Sequence, residues 1–515
     1  MKQIITFIAI ALFSITSPVI AQVPPQWDTA KAQLTNKLNL INTEILNRWD
    51  NQPYCTKFGG NLLLANSNKG YKLFTPDPVN FPFPIPTYQN AFYAKIDTML
   101  MALDTLGLKS VDVTIQYPLL VNSFPHSQDY LDFFVTVCNK IKQRGFKLTI
   151  GTQAAFVDPT FGETYMVQDI LKHYYNPDNN TFTDDTLENN RFRQEKLQMM
   201  QTVIDSLKPD YLIMEMEPQT QVNNLFGLVD YSVDSTITHI NYFLNNLIPN
   251  TTLLGAGAGS WDDIQFIKDI ALTGIDFIDY HVYPPHFNYI NDIAFTIDSI
   301  ADANNKKLII GEAWCYKATN YEMSSVTDPV GTSAMIYARD GFDYWVGVDT
   351  MFVKAMINLS QQSKLDVVSF FWVNNFFGQL TWNNGTHGSM TPSQLLTAGQ
   401  QAGLANMNQF ILSPIGTYAK NEIAAICSSS TSIIEHSKSK DLRIYPNPTT
   451  SSFIISSTEN VDAIIIYDYS GKIVMEERGQ NITTVTLPAS FTDGIYLLRL
   501  RTNNQFQTAK IIVDK

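Results

Sequence analysis

Between residue 55 and about residue 425, nearly continuous apolar runs alternate with stretches whose apolar residues recur at i, i+3, i+4 and i+7. The first runs are "NLLLAN" (61–66), "SVDVTIQY" (110–117), "FKLTIGTQ" (146–153) and "DYLIMEME" (210–217). "TLLGAGAG" (252–259), "DFIDYHVY" (276–283), "KLIIGEAW" (307–314) and "VVSFFWVN" (367–374) follow. A strand that is apolar throughout is buried on both faces, as in a parallel sheet. The stretches between, such as "YLDFFVTVCNKIKQRG" ending at Gly145 and "RQEKLQMMQTVIDSLK", read as amphipathic helices. Eight such strand–helix units predict an α/β fold, a (β/α)8 TIM barrel over residues 22–427. An open doubly wound sheet would need a Gly-rich phosphate turn after its first strand, and "GGNLLLANSNKG" has its glycines on the wrong sides.

The two ends differ from this pattern. "MKQIITFIAIALFSITSPVIAQ" has Lys2, an apolar stretch from Ile4 to Phe13 and small residues near Ala21, which predicts a signal peptide over 1–21. No later segment approaches the roughly 18 apolar residues of a membrane span, so an exported, soluble protein is expected. Residues 428–441, "SSSTSIIEHSKSKD", read as a Ser-rich linker. Residues 442–515 change period: "LRIYPNPTTSSFIISS", "AIIIYDYSGKIVMEE", "NITTVTLP" and "GIYLLRLRTNNQFQTAKIIVDK" are short alternating strands broken by turn residues. About seven strands there predict a small all-β sandwich.

Charge and composition then narrow the partners. Lys and Arg number 35 against 48 Asp and Glu, a net charge of −13 without any basic run, which excludes a nucleic-acid-binding surface. The 31 Phe, 24 Tyr and 7 Trp suit a neutral partner such as a sugar. Cys55, Cys138, Cys315 and Cys427 lack CxxC or Cys/His spacing, so no metal site is expected; one disulfide or buried thiols are both open. No cofactor motif is present, and the chain is taken as a monomer.

In a (β/α)8 barrel the chemistry sits at the C-terminal ends of the strands. Those ends carry Gln116, Gln153, Glu215 with Glu217, His281 with Tyr283, Glu312 with Trp314, and Trp372 with Asn374 and Asn375. In "PDYLIMEMEPQTQ" strand alternation predicts Glu215 and Glu217 on one face and Met216 on the other. Glu217 and Glu312, on strands four and seven, form the two-carboxylate arrangement needed to hydrolyse a glycosidic bond. Glu215 is either part of that site or a structural carboxylate. Trp314 and Trp372, and more remotely Trp261 and Trp382, are either sugar platforms or packing at the barrel end. His281 has no HExxH or His-x-His partner, which excludes a metal hydrolase.

Together, "EP" (217–218), "HVYP" (281–284), "GEAW" (311–314) and "FFW" (370–372), on successive strands, resemble clan A glycoside hydrolases. The resemblance implies a retaining enzyme with Glu217 as general acid/base and Glu312 as nucleophile. Tyr283 would hold the nucleophile, His281 would lie near the sugar, and Trp372 would floor its subsite. Two departures matter. The clan's Asn before the acid/base is Met216 here, and an Arg near the end of strand two is replaced by Gln116. Either Glu215 or Gln116 takes over those contacts, or the barrel is a non-catalytic glycan-binding or adhesive surface protein. "IYPNPT", "YDYSGKIV" and "GIYLLRL" closely resemble the C-terminal sorting domain of type IX secretion. That implies export across the periplasm and outer membrane, with residues 442–515 engaging the secretion machinery; the clan A resemblance implies a poly- or oligosaccharide as substrate.

Overall fold

Eight parallel strands close into a barrel in sequential order. They are β1 (Lys57–Asn61), β2 (Ser110–Thr114), β3 (Lys147–Gly151), β4 (Tyr211–Glu215), β5 (Leu253–Gly259), β6 (Phe277–Val282), β7 (Lys307–Ala313) and β8 (Val367–Phe370). The computed structural model describes residues 23–62, 86–153, 171–172, 174–176, 185–225, 228–229, 231–323, 333–431, 443–456, 460–468, 472–479, 481–502 and 505–515. The expected signal peptide and residues 432–441 of the expected linker lie outside these. Residues 428–431 belong to the helix Pro414–Thr431, so the linker begins later than composition alone suggests.

Seven strands fall where the apolar runs place them, and the first does not. β1 is "KFGGN", ahead of the "NLLLAN" run, of which residues 63–66 lie outside the described part. Its glycines explain both the position and the error. A Cβ at Gly59 would lie 2.9 Å from Ser110 Cβ, and one at Gly60 would lie 2.5 Å from Val373 Cγ1. Only a strand without side chains at these points fits between β2 and β8, although glycine lowers the strand signal.

The barrel interior is filled by Tyr211, Ile213, Met216, Phe277, Ile309 and Val367, while Leu212, Met214, Ile278 and Ile310 pack outward in the main core. One inward position beyond Phe277 and Val367 the interior turns polar: Asp279, Ser369 and Asp112 are buried, and Ser369 donates to Asp112. Helices complete the outer ring. Ser127–Gln143 buries Tyr130, Phe133, Phe134, Val137, Cys138 and Ile141 along one stripe. It ends before Gly145, whose φ of +79° is the left-handed turn a glycine makes at no steric cost. The helix Pro25–Arg48 is fastened to Val346–Gln362 through Asn42, which donates to Met351 O and accepts from Asn358. Among the described residues, no helix is long and apolar enough to cross a membrane.

The chain divides into two compact units, Met1–Cys427 and Ser428–Lys515. The second holds seven described strands: β9 (Arg443–Tyr445), β10 (Ser452–Ser456), β11 (Val461–Tyr467), β12 (Ile473–Arg478), β13 (Thr484–Thr486), β14 (Gly494–Thr502) and β15 (Gln505–Val513). They form two antiparallel sheets, ordered β13-β10-β9 and β12-β11-β14-β15. Phe453, Ile464, Ile466, Leu498, Leu500 and Ile511 form a core of their own.

Candidate active site

Two β-bulges, one on β4 and one on β7, shape the mouth of the barrel. On β4 the register against β5 jumps between Ile213 and Glu215. A bulge adds one residue and reverses the alternation beyond it. Met214 therefore faces out, Glu215 also faces out, and Met216 turns into the barrel with Ile213. Glu217 follows at φ 47°, ψ 63°, immediately before the helix Pro218–Asn224. On β7 the pairing skips from Tyr280↔Ile310 to His281↔Glu312, leaving Gly311 as the extra residue, and the same bulge shifts the register between Ile310 and Ala313 against β8.

Glu215 consequently leaves the mouth. Its carboxylate accepts from Lys196 Nζ at 2.6 Å and from Tyr231 Oη at 3.1 Å, in surroundings where both charged partners are about 1% exposed. Lys196 stands on the helix Asp185–Thr202, so the pair ties β4 to its outer layer. The expectation that Glu215 shares the site with Glu217 is corrected: it is the structural carboxylate. Burial raises the Glu215 carboxyl against the pull of Lys196, and burial lowers the Lys196 ammonium.

The other two glutamates do converge. His281 Nδ1 lies 2.5 Å from Glu217 Oε1 and 3.8 Å from Glu312 Oε2. Tyr283 Oη donates to Glu312 Oε2. Facing oxygens of Glu217 and Glu312 lie within 4.8 Å of each other and of the imidazole. Both acids are nearly buried, at 6% and 8% exposure. Burial pushes the Glu312 carboxyl up to about 8, and the Glu217 charge adds to this while His281 and Tyr283 oppose it. For His281 burial acts downward, but the Asp279, Glu312 and Glu217 charges outweigh it and hold the ring well above the usual histidine range. Three such groups could in principle grip a cation. An imidazole set between two carboxylates is equally an arrangement that can hand protons among its members.

The remaining candidates divide. Trp372 is half-buried and, with Tyr337, Asp340, Asn374, Asn375 and Gln400, lines a small pocket. Trp372 stacks edge-on to Phe371 at 4.6 Å, and Phe371 meets Tyr283 at 6.0 Å, so a chain of ring contacts runs from Trp372 to the tyrosine that donates to Glu312. Asn374 is buried and donates to Asn375 Oδ1 at 3.3 Å. Trp261, half-buried, leans on Tyr283 at 5.7 Å. Gln116 is buried at the end of β2, and its Oε1 has no partner among the described residues. Trp314 is corrected from platform to packing. It is 1% exposed, edge-on to Phe376 at 5.8 Å, with Lys317 Nζ 4.6 Å over its ring. Trp382 is also packing, 4.8 Å from Trp27.

Met216 rests inside the barrel mouth, where a Cβ on Gly151 would lie 2.6 Å from its Cε. Sequence reasoning missed two acids. Asp262 accepts from Gln219 N at 2.8 Å and from Gly259 N at 2.6 Å, joining the end of β5 to the start of the helix after Glu217, and burial pushes its carboxyl up to about 7. Asp279 is fully buried beneath His281. Its signal was visible, since it is the one acid in the middle of "DFIDYHVY" and shares the inward parity of His281.

Fold and site together define a (β/α)8 barrel that presents two facing carboxylates braced by a histidine and a tyrosine. Residues 443–514 match the family model of the secretion system C-terminal sorting domain. This domain indicates export by type IX secretion, to a secreted or cell-surface location. A comparison with curated protein sequences finds no match. Among solved structures, the chain is similar to the FMN-binding beta-glucuronidase from Facaelibacterium prausnitzii L2-6 (12% identity, 90% of this chain and 56% of that one, TM-score 0.35). It is also similar to the exo-beta-1,4-mannosidase Op5Man5 from Opitutaceae bacterium strain TAV5 (10%, 74% and 63%, TM-score 0.44). A third is GH5_18 from Bifidobacterium longum subsp. longum ATCC 55813 (15%, 73% and 80%, TM-score 0.42). The chain thus spans only 56% and 63% of the first two. At such identities and TM-scores these likenesses carry no argument about activity.

Proposed function

We propose that the barrel is a retaining glycoside hydrolase acting on a poly- or oligosaccharide, with Glu312 as nucleophile and Glu217 as general acid/base. The observation that carries this reading is the facing of Glu217 and Glu312 across the mouth with oxygens within 4.8 Å. A retaining pair stands about 5–5.5 Å apart, whereas an inverting pair needs roughly 6.5–9.5 Å to admit a water. Tyr283 on one Glu312 oxygen leaves the other to attack the anomeric carbon. As the carbon–oxygen bond breaks, Glu217 gives its proton to the leaving oxygen, and a glycosyl ester forms on Glu312. Water then attacks that carbon, Glu217 takes its proton, and Glu312 departs as carboxylate. Trp372, with Asn374 beside it, offers the sugar an aromatic face and amide hydrogen bonds.

Turnover of an aryl glycoside panel tests this. Glu312→Ala should lose activity and regain part of it with azide, yielding a glycosyl azide of inverted configuration. Glu217→Ala with azide should yield the retained azide, because two displacements have occurred. Wild-type turnover that survives both substitutions would remove these acids from the mechanism. Inactivity of the wild type on every glycoside would favour a glycan-binding barrel, and Met216, which offers the sugar no hydrogen bond, is the residue that supports that second reading.

A further inference from the structure

Asp279 lies on β6 two residues before His281, fully buried in the polar layer of the barrel. Its Oδ2 is 3.0 Å from His281 Nε2, and its Oδ1 accepts from the Gly311 amide at 2.9 Å. The far ring nitrogen, Nδ1, is the one 2.5 Å from Glu217 Oε1 and 3.8 Å from Glu312 Oε2. Neighbouring strands are built around this contact. Gly311 is the bulged residue of β7; a Cβ there would lie 2.5 Å from Asp279 Oδ1 and 3.0 Å from His281 Nε2. A side chain would thus part the carboxylate from the ring, and the amide freed by the bulge is spent on holding the carboxylate.

We propose that Asp279 is a positioning residue for the acid/base: its charge, 3.0 Å behind the ring, keeps both His281 nitrogens protonated, so that Nδ1–H faces Glu217 and Glu312. A carboxylate at ion-pair distance behind an imidazole favours its charged form, in which both ring nitrogens carry protons. With Nδ1–H donated to Glu217 Oε1, the other Glu217 oxygen is the one free to face the leaving group. The same positive edge favours the ionised form of Glu312. The groups that face His281 are Asp279 on its own strand, Glu217 after β4 and Glu312 on β7. Asp112 on β2 and Asp262 after β5 also feel its charge. Every one of them is an acid, so among these groups no second cation competes for the role.

The catalytic part of this inference rests on the glycosidase reading; its structural part is testable without turnover. In the full chain labelled with ¹⁵N-histidine, the His281 signals, assigned with His281→Gln, should show two protonated ring nitrogens from about pH 5.5 to about pH 8. A neutral wild-type ring across that range overturns the proposal, whatever any variant does. Asp279→Asn keeps the shape and an acceptor for the Gly311 amide but removes the charge, and its His281 ring should lose a proton within the same range. Gly311→Ala, which pushes the pair apart sterically, should act in the same direction. An unmoved His281 titration in a folded Asp279→Asn also overturns it. On an aryl glycoside, kcat should fall about tenfold with KM nearly unchanged. The acid limb of kcat/KM should move to higher pH, since Glu312 loses a positive neighbour. A protein that turns over no glycoside while His281 titrates as expected refutes the enzymatic reading and leaves the Asp279–His281 coupling standing.

Discussion

Glu217 occupies a left-handed backbone conformation, φ 47° and ψ 63°, which a non-glycine residue adopts at a cost of roughly 1–2 kcal/mol. Such strain persists where the surroundings fix a side chain for use. Glu217→Gly should therefore unfold at higher denaturant than Glu217→Ala, by about 1 kcal/mol in equilibrium urea titrations, although both lose the acid. Equal stability would mean that the loop relaxes and no strain is stored. Glu312 gives a second test by linkage. Burial pushes the Glu312 carboxyl up to about 8 inside a cluster of two acids and His281 that shares its protons, so the folded cluster holds a proton that the unfolded chain releases between about 4.5 and about 8. Where the native state binds more protons, stability falls as pH rises. Glu312→Gln, neutral throughout, should therefore gain in Tm over the wild type as pH climbs from about 4.5 to about 8.5, by a few degrees. The two acids and His281 titrate together, so the midpoint belongs to the cluster. A constant Tm difference across that range would show that burial does not hold the proton on this group.

At the scale of elements, the bulges decide which side chains meet. Alternation along "LIMEME" puts Glu215 with Glu217, and one extra residue on β4 sends Glu215 to Lys196 instead. Removing one partner of a buried pair leaves the other charge uncompensated, typically at about 3–5 kcal/mol. Glu215→Gln should accordingly lower the melting temperature sharply while the folded fraction keeps its kcat, and adding Lys196→Met should recover much of the loss. A variant with native stability but little turnover would return Glu215 to the site. This contrast also shows what the sequence could reveal. The period of apolar runs, each with its helix, carries the barrel, because burying a parallel sheet on both faces leaves no other composition for its strands. The order of Glu217, His281, Tyr283, Glu312 and Trp372 along the strand ends carries most of the site. Parity beyond a bulge is invisible, since Met214 and Glu215 look like any two consecutive strand residues. β1 was misplaced for a related reason: Gly59 and Gly60 are there because Ser110 and Val373 press on the backbone, a tertiary demand that works against local propensity. Trp314 marks a third limit, as a large aromatic at a strand end looks the same whether it faces sugar or core.

At the scale of the whole molecule, two folding problems are solved separately on one chain. The barrel unit buries its strands between an interior cluster and a ring of helices, and the C-terminal unit buries Phe453, Ile464, Leu498 and Ile511 between two sheets. Among the described residues, no buried residue of one core belongs to the other. Units with independent cores unfold independently unless a large apolar interface couples them. Deleting residues 432–515, just beyond the helix Pro414–Thr431, should thus leave the barrel's melting transition within about 1 °C of its place in the full chain. Calorimetry of the full chain should show a second, smaller transition that the truncated chain lacks. Because residues 443–514 belong to the sorting family, the truncated protein should accumulate in the periplasm of the producing cell instead of reaching the surface or the medium. Its turnover per folded molecule should be unchanged, since the partners of Glu217, His281 and Glu312 among the described residues all belong to the barrel unit. A barrel that melts several degrees lower, or loses turnover while folded, would mean that the C-terminal unit also supports the barrel unit.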